Sequence, residues 1–281
     1  MNGAGTLYLV ATPIGNMEDI TLRALRVLKE ADVIAAEDTR QTLKILNHYG
    51  IKNALTSYYE HNKAVKRDHI IRLLLDGKNV ALVSDAGSPG ISDPGEDLVK
   101  AAIEHGITVT AVPGPSAVIT GLVLSGFPTG RFAFEGFLPV NKKLRGKRLE
   151  ALKSDSRTLV FYEAPHRLVR TLKDLKNAFG NRHIAFAREL TKKFEEIGRC
   201  TLDEAIEIFE QKTPRGEFVL ILEGADSETQ EIGPDEWRNM DMEQHLKIYM
   251  DGGMDKRQAM KMVAEDRKIS KRDVYKSLLK E

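Results

Sequence analysis

The chain is poor in several things, and each shortage excludes a class of explanation. Its 281 residues include one cysteine, Cys200. An intramolecular disulfide and a cysteine-based zinc site are therefore excluded. No His, Asp and Glu grouping has metal-ligand spacing, and no metal is expected. No apolar run approaches the length needed to cross a bilayer. The opening MNGAGTLYLVATP has neither a basic leader nor a cleavage pattern, so a cytoplasmic protein without a membrane partner is expected. Net charge is scarce too, since 42 Lys and Arg face 41 Asp and Glu. Global charge thus says nothing about nucleic acid, and any basic surface must be local. The phosphate-binding signatures G-x-x-x-x-G-K-[ST] and, after a strand, G-x-G-x-x-G are missing. That argues against an ATPase, an ordinary dinucleotide enzyme and the common methyltransferase class with a Gly-rich first loop. There is no internal repeat and no low-complexity tract.

What is present is 42% hydrophobic and 30% charged, enough for a substantial core. TLYLVATPIGN reads as a buried strand running into a Pro/Gly loop, and DITLRALRVLKEA as a helix capped by Asp19 or Thr21. DVIAAEDTR, QTLKILNHYG, KAVKRDHIIRLLLDG, KNVALVSD, EDLVKAAIEHG, ITVTAVPG and PSAVITGLVLSG continue the alternation of strand and helix. It predicts an α/β layer with mostly parallel strands. FPTGRFAFEGFLPVNKKLRGKRLEALKS then changes composition, aromatic first and basic after. TLVFYEAP, HRLVRTLKDLKNAFG, HIAFARELT, LDEAIEIFEQ and EFVLILEG read as a second α/β domain. SETQEIGPDE looks like a linker, and the remainder is helical without strand signal. The expected organisation is an N-terminal α/β domain over 1–118, a second over 119–225, and a linker with a small helical C-terminal appendage over 226–281.

Three loops that follow strands carry the chemistry: ATPIGN, SDAGSPGISDPG and VPGPSAV. Each places Gly and Pro where a strand gives way to a helix. In open α/β sheets ligands sit beyond the carboxyl ends of strands, and Gly lets bare backbone come close to a ligand. The plain alternative is that these are ordinary turns, with Asp85 bonding its own backbone and Ser116 capping its helix.

LYLVATPIGNMEDITLRALRVLKEADVIAAEDTR, SDAGSPGISDPG, VPGPSAVITGLVLSG, FEGFLP, FYEAPHRL, RELTKKFEE and RGEFVLILEG occur in that order. Together, over roughly Leu7 to Gly224, they resemble the tetrapyrrole-methylase superfamily, and within it the bacterial branch that methylates ribose in ribosomal RNA. The resemblance implies two α/β domains with a ligand cleft between them and S-adenosylmethionine as methyl donor. It implies the 2′-hydroxyl of a cytidine in the decoding region of 16S rRNA as acceptor, and a homodimer. It implies donor contacts from Asp85, Gly87 and Ser88, from Ser116 and Ala117, and from Tyr162, Glu163 and Ala164, with Pro13 and Gly15 at the mouth. Glu135 and Glu163, and after them Glu189 and His166, are candidates for a catalytic base, each with a structural ion pair as the alternative.

RNA needs a further surface. Lys142, Lys143, Arg145, Lys147 and Arg148 form a dense basic run suited to phosphates, and Arg23 and Arg40 follow the first two strands. Phe134, Phe137, Tyr58 and Tyr59 are possible stacking platforms, with core packing as the alternative. In the tail, Ala259, Met262, Val263, Val274, Leu278 and Leu279 are expected to form an inner face, with Ser270 as a cap. It suits either an RNA-docking module or a structural appendage. Two other functions remain open: methylation of a corrin precursor, and a non-catalytic RNA-binding role in ribosome assembly. The basic run and the tail count against the corrin reading.

Overall fold

In a computed structural model, the structure describes residues 3–225, 240–251 and 254–278. A first sheet contains β1 (Thr6–Val10), β2 (Val33–Ala36), β3 (Leu55–Ser57), β4 (Val80–Val83) and β5 (Thr108–Val112) in the order β3-β2-β4-β1-β5. All its pairings are parallel, as the alternation predicts. The helices are α1 (Leu22–Glu30), α2 (Thr39–His48), α3 (Lys63–Leu75), α4 (Glu96–Glu104) and α5 (Ala117–Ser125).

Strand β4 shows why the layers form. Every residue of VALV is buried, the mark of a parallel strand covered on both faces. Val80 and Leu82 pack into a cluster with Ile70, Leu74 and Leu98 of α3 and α4. Ala81 and Val83 face the other way, against Ala24, Leu28 and Leu46 of α1 and α2. Helix α1 is capped by Thr21, whose hydroxyl accepts the Ala24 amide at 3.1 Å. Asp19, the other cap considered, lies in a short turn over Met17–Asp19.

The second sheet has β6 (Phe132–Phe137), β7 (Thr158–Glu163), β8 (His183–Arg188), β9 (Glu196–Thr201) and β10 (Phe218–Leu222), ordered β6-β7-β10-β8-β9. Only β6 and β7 pair in parallel; the other pairings are antiparallel. One face carries α6 (Lys142–Ala151), α7 (Leu168–Phe179) and α8 (Leu202–Gln211), with Leu149, Leu172 and Leu202 in its core. The other face is covered by α5, whose Val118 and Leu122 pack on Val160, Val219 and Ile221. Gly121 permits that approach, since a Cβ there would lie 3.1 Å from Val219 Cγ1. Helix α5 therefore starts at the ligand end of the first sheet and ends as the cover of the second. Both sheets belong to one compact unit.

The remaining described residues form a second unit. Its helices are α9 (Met242–Asp251), α10 (Lys256–Asp266) and α11 (Lys271–Ser277). Leu246, Ala259, Met260, Val263, Ala264 and Val274 make its core. Met260 and Ala264 are buried where Met262 was expected; Met262 is half-buried and Leu279 lies outside the described residues, as does SETQEIGPDE. Ser270 caps α11 by accepting the Asp273 amide at 3.2 Å. Among the described residues no helix is long and apolar enough to cross a membrane.

Candidate active site

The three loops leave the adjacent strands β4, β1 and β5 and are tied together by main chain. Thr12 N–H donates to Gly87 O at 2.9 Å, Gly87 N–H returns the bond at 3.0 Å, and Ala11 N–H donates to Val112 O at 3.2 Å. Gly87 has φ +78°, which a side chain would resist. Beside these loops lies a cavity of about 380 Å³. The loop after β4 contributes Asp85 to Ser88 and Ile91 to Asp93; the start of α5 contributes Ser116 to Val118. Phe137, Tyr162 to Pro165, Ala187, Leu190 and Glu217 to Val219 complete it from the second sheet.

The loop side is acidic. Asp85 is raised above the usual carboxylate range by burial, and so is Asp93. Glu37, at the end of β2, is pushed up to about 7 by burial and by the charges of Asp93 and Asp85. Asp38, one residue on, is held down to about 2 by Arg40. The Asp85 carboxylate accepts the Asp38 amide at 3.0 Å. Across the cavity, burial raises the Tyr162 hydroxyl to about 12.

Asp85, Gly87, Ser88, Ser116, Ala117, Tyr162, Glu163 and Ala164 therefore line one cavity, although they come from three separate stretches of chain. Ser116 also caps α5, so both readings of that residue coexist. Pro13 is buried in its loop and Gly15 is exposed beside it; neither is on the wall, whereas Ile14 between them is. Gly15 has a packing role, because a Cβ there would sit 2.4 Å from Lys192 Cγ.

The base candidates are committed elsewhere. Glu163 Oε1 accepts the Ala164 amide at 2.8 Å and faces Arg167 at 3.4 Å, while Oε2 accepts the Thr171 hydroxyl. Its side chain is fully buried, so only the rest of the residue is available to a ligand. Glu135 pairs with Arg148 at 2.6 Å and is not on the wall. Glu189 accepts Lys192 Nζ and the Glu217 amide, each at 3.0 Å. His166 is exposed and off the wall.

The basic run forms a helix, α6, capped by Asn141. Lys142, Lys143, Lys147 and Arg148 are exposed on it. Arg145 is the exception: its side chain is 4% exposed, paired with Asp174 at 2.7 Å, and it donates to Pro139 O and Val140 O. It anchors the helix and does not face solvent. Arg23 is exposed and donates to Ala111 O at 2.6 Å; Arg40 is exposed and paired with Asp38. Tyr58 is buried, with its hydroxyl on Asp97 at 2.8 Å.

Sequence reasoning missed Glu37, Asp93, Leu190 and Glu217. Asp93 had a signal, being the second acid of SDAGSPGISDPG. Leu190 and Glu217 stand in RELTKKFEE and RGEFVLILEG without one. The Leu190 segment is bent by Glu189 and Thr191 at φ +50° and +65°, which turns it back toward Gly15 and the cavity.

Two α/β halves packed in one compact unit, strand-end loops of bare backbone and a cavity lined from both halves define a ligand-binding fold of the methylase type. The profile of the Tetrapyrrole (Corrin/Porphyrin) Methylases matches residues 6–206, and the chain belongs to that family. It is 52% identical over 96% of its length to Ribosomal RNA small subunit methyltransferase I of Halalkalibacterium halodurans, covering 93% of that protein. It is 41% identical to the Escherichia coli O157:H7 protein of the same name, over 100% of this chain and 96% of the other. The Thermotoga maritima protein of that name is 50% identical over 78% of this chain and 99% of its own. Among solved structures, the methyltransferase CobJ superposes with TM-score 0.59 at 21% identity, over 79% of this chain and 95% of that one. Uroporphyrin-III C-methyltransferase from Thermus thermophilus, complexed with S-adenyl homocysteine, gives 0.54 at 22%, over 77% and 97%. At such identities the likeness is one of fold.

Proposed function

We propose that the chain is an S-adenosylmethionine-dependent methyltransferase that acts on the 2′-hydroxyl of a cytidine in the decoding region of 16S rRNA, within the small ribosomal subunit. The observation that carries this reading is the convergence of the motif residues Asp85, Ser88, Ser116, Tyr162 and Ala164 on one cavity. Relatives at 41–52% identity over nearly the whole chain, named for this class of RNA, supply the acceptor.

The residues fit the donor. A cavity of about 380 Å³ suits a small ligand. Burial raises the proton affinities of Glu37, Asp85 and Asp93, and for Glu37 the charges of Asp93 and Asp85 add to it; a cationic ligand relieves that penalty. Asp85, Gly87 and Ser88, with Ser116 and Ala117, would hold its polar ends. Ile14, Val118, Leu190 and Val219 offer an apolar face for a purine. When bound, the donor supplies a methyl group on a positively charged sulfur. The chain's part is to hold the ribose hydroxyl in line and keep water out, effects that account for much of the rate in such displacements. Glu135, Glu163 and Glu189 are each bonded to other groups, so positioning carries more of this proposal than a base drawn from them.

The same reading makes the protein cytoplasmic, where small subunits are found. It also makes it a homodimer, which the exposed Ile119 and Val123 of α5 support. The test is methylation of isolated small subunits with labelled donor, followed by mapping of the modified nucleotide. Label on a cytidine ribose is expected. Label on a base, or transfer only to a corrin precursor, would overturn the reading.

A further inference from the structure

Resting on that reading, we propose that Phe137, with Ile91, seats the nucleobase of the acceptor nucleotide at the mouth of the cavity. Both side chains line the cavity, yet Phe137 is 54% and Ile91 63% exposed. They reach it from different halves, Ile91 from the loop after β4 and Phe137 from the last position of β6.

The ring of Phe137 is held from one side. Its centroid is 5.6 Å from that of Tyr162, which meets Phe134 edge-on at 5.0 Å. A braced ring with an open face is the platform on which single-stranded RNA stacks its bases. The backbone delivers it deliberately. The pairing of β6 with β7 slips between Phe134 and Gly136, with Gly136 at φ +63°, and a bulge of this kind re-aims the side chains that follow it.

The residue left over at the slip is Glu135, the one that Arg148 of α6 grips. Glu135 is thereby a positioning residue, tying the platform to the basic helix. Exposed Lys142, Lys143 and Lys147 on that helix begin five positions beyond the ring, which puts cations for the flanking phosphates beside the base seat. A base stacked there leaves its sugar directed to the cavity, where the donor is proposed to lie.

The experiment compares wild type with Phe137→Leu, which keeps apolar bulk on Tyr162, and with Phe137→Trp. With isolated small subunits, Phe137→Leu should raise the RNA KM by about tenfold or more, and Phe137→Trp should restore it. The donor Kd, by calorimetry, should move less than the RNA KM. A second readout needs no methyl transfer. In a chain whose single tryptophan is removed by Trp237→Phe, fluorescence of the Phe137→Trp protein should be quenched by a cytidine-containing single-stranded oligoribonucleotide. Equal losses of donor and RNA affinity, an unchanged KM in Phe137→Leu, or no quenching would overturn the proposal. So would a shift in sedimentation with unchanged KM, which would assign the ring to a contact between copies. If wild type left small subunits unlabelled, the functional reading would fall while the quenching still decided the base seat.

Discussion

On the first sheet's side the cavity is walled by loops whose main chain bonds to main chain, as at Thr12 and Gly87. On the second sheet's side it is walled by residues such as Glu163, whose carboxylate is committed to the Ala164 amide and the Thr171 hydroxyl. The first wall carries Asp85 and Asp93, whose proton affinities burial raises, as it does for Glu37 off the wall; the second keeps an apolar and aromatic surface in shape. One side is built to meet charge, the other to position. The difference teaches that a motif residue's presence on the wall does not make its side chain a reagent: Glu163 shapes the cavity because its carboxylate is used elsewhere.

The comparison is broken first through stability. Arg145→Ala strips the buried partner from Asp174 and frees two carbonyls at the foot of α6. Its cost should be on the order of 3 kcal/mol, read by urea unfolding. Replacing Lys142, Lys143 and Lys147 with Ala should leave the unfolding midpoint nearly unchanged. That variant should instead flatten the slope of log affinity for RNA against log salt by up to about 2 units. If Arg145→Ala behaved like the lysine variant, Arg145 would not anchor α6.

Asp85→Ala acts on the first wall. Donor affinity should fall at least about tenfold, or about 1.4 kcal/mol, with RNA affinity changing less; equal losses would make the loop merely structural.

A smaller effect is titration. Glu37 is raised from 4.5 to about 7, so the stability it contributes to the ligand-free protein is full below pH 4.5 and is lost as pH rises through about 7. A cationic donor favours the ionised acids. Calorimetry should therefore show donor affinity rising several-fold between about pH 6 and about pH 8 with proton release, and Glu37→Gln should flatten that rise.

The smallest change is expected from ending the chain after Ala225. The share of this chain left unmatched by the Thermotoga protein is close to the size of the helical unit, and every residue on the cavity wall precedes it. Donor affinity should stay within about threefold, while any loss confined to RNA binding would give the tail its role.

The legible parts of the fold were those with local signals. VALV, buried throughout, and α1, with Ala24, Val27 and Leu28 on one face, follow from period and capping. Strands β6 and β9 escaped because both are sheet edges with half-buried residues, and β6 is interrupted by its slipped register. Helix α6 escaped because its charges hide an inner face of only Arg145 and Leu149. At the site, SDAGSPGISDPG and FYEAPHRL announced themselves, whereas Glu37 is perturbed by Asp85 and Asp93, dozens of residues away, a coupling that no window of sequence contains.

The sequence by itself determined where strands end in bare backbone, because Gly and Pro act on their own φ and on their immediate neighbours. It also determined the alternation that buries a sheet between helices. Only the tertiary structure decided which acids share a wall, which cation of the basic run is buried and which aromatic ring stays open to solvent. Charge coupling, burial and stacking act through space, between segments that the chain order keeps far apart.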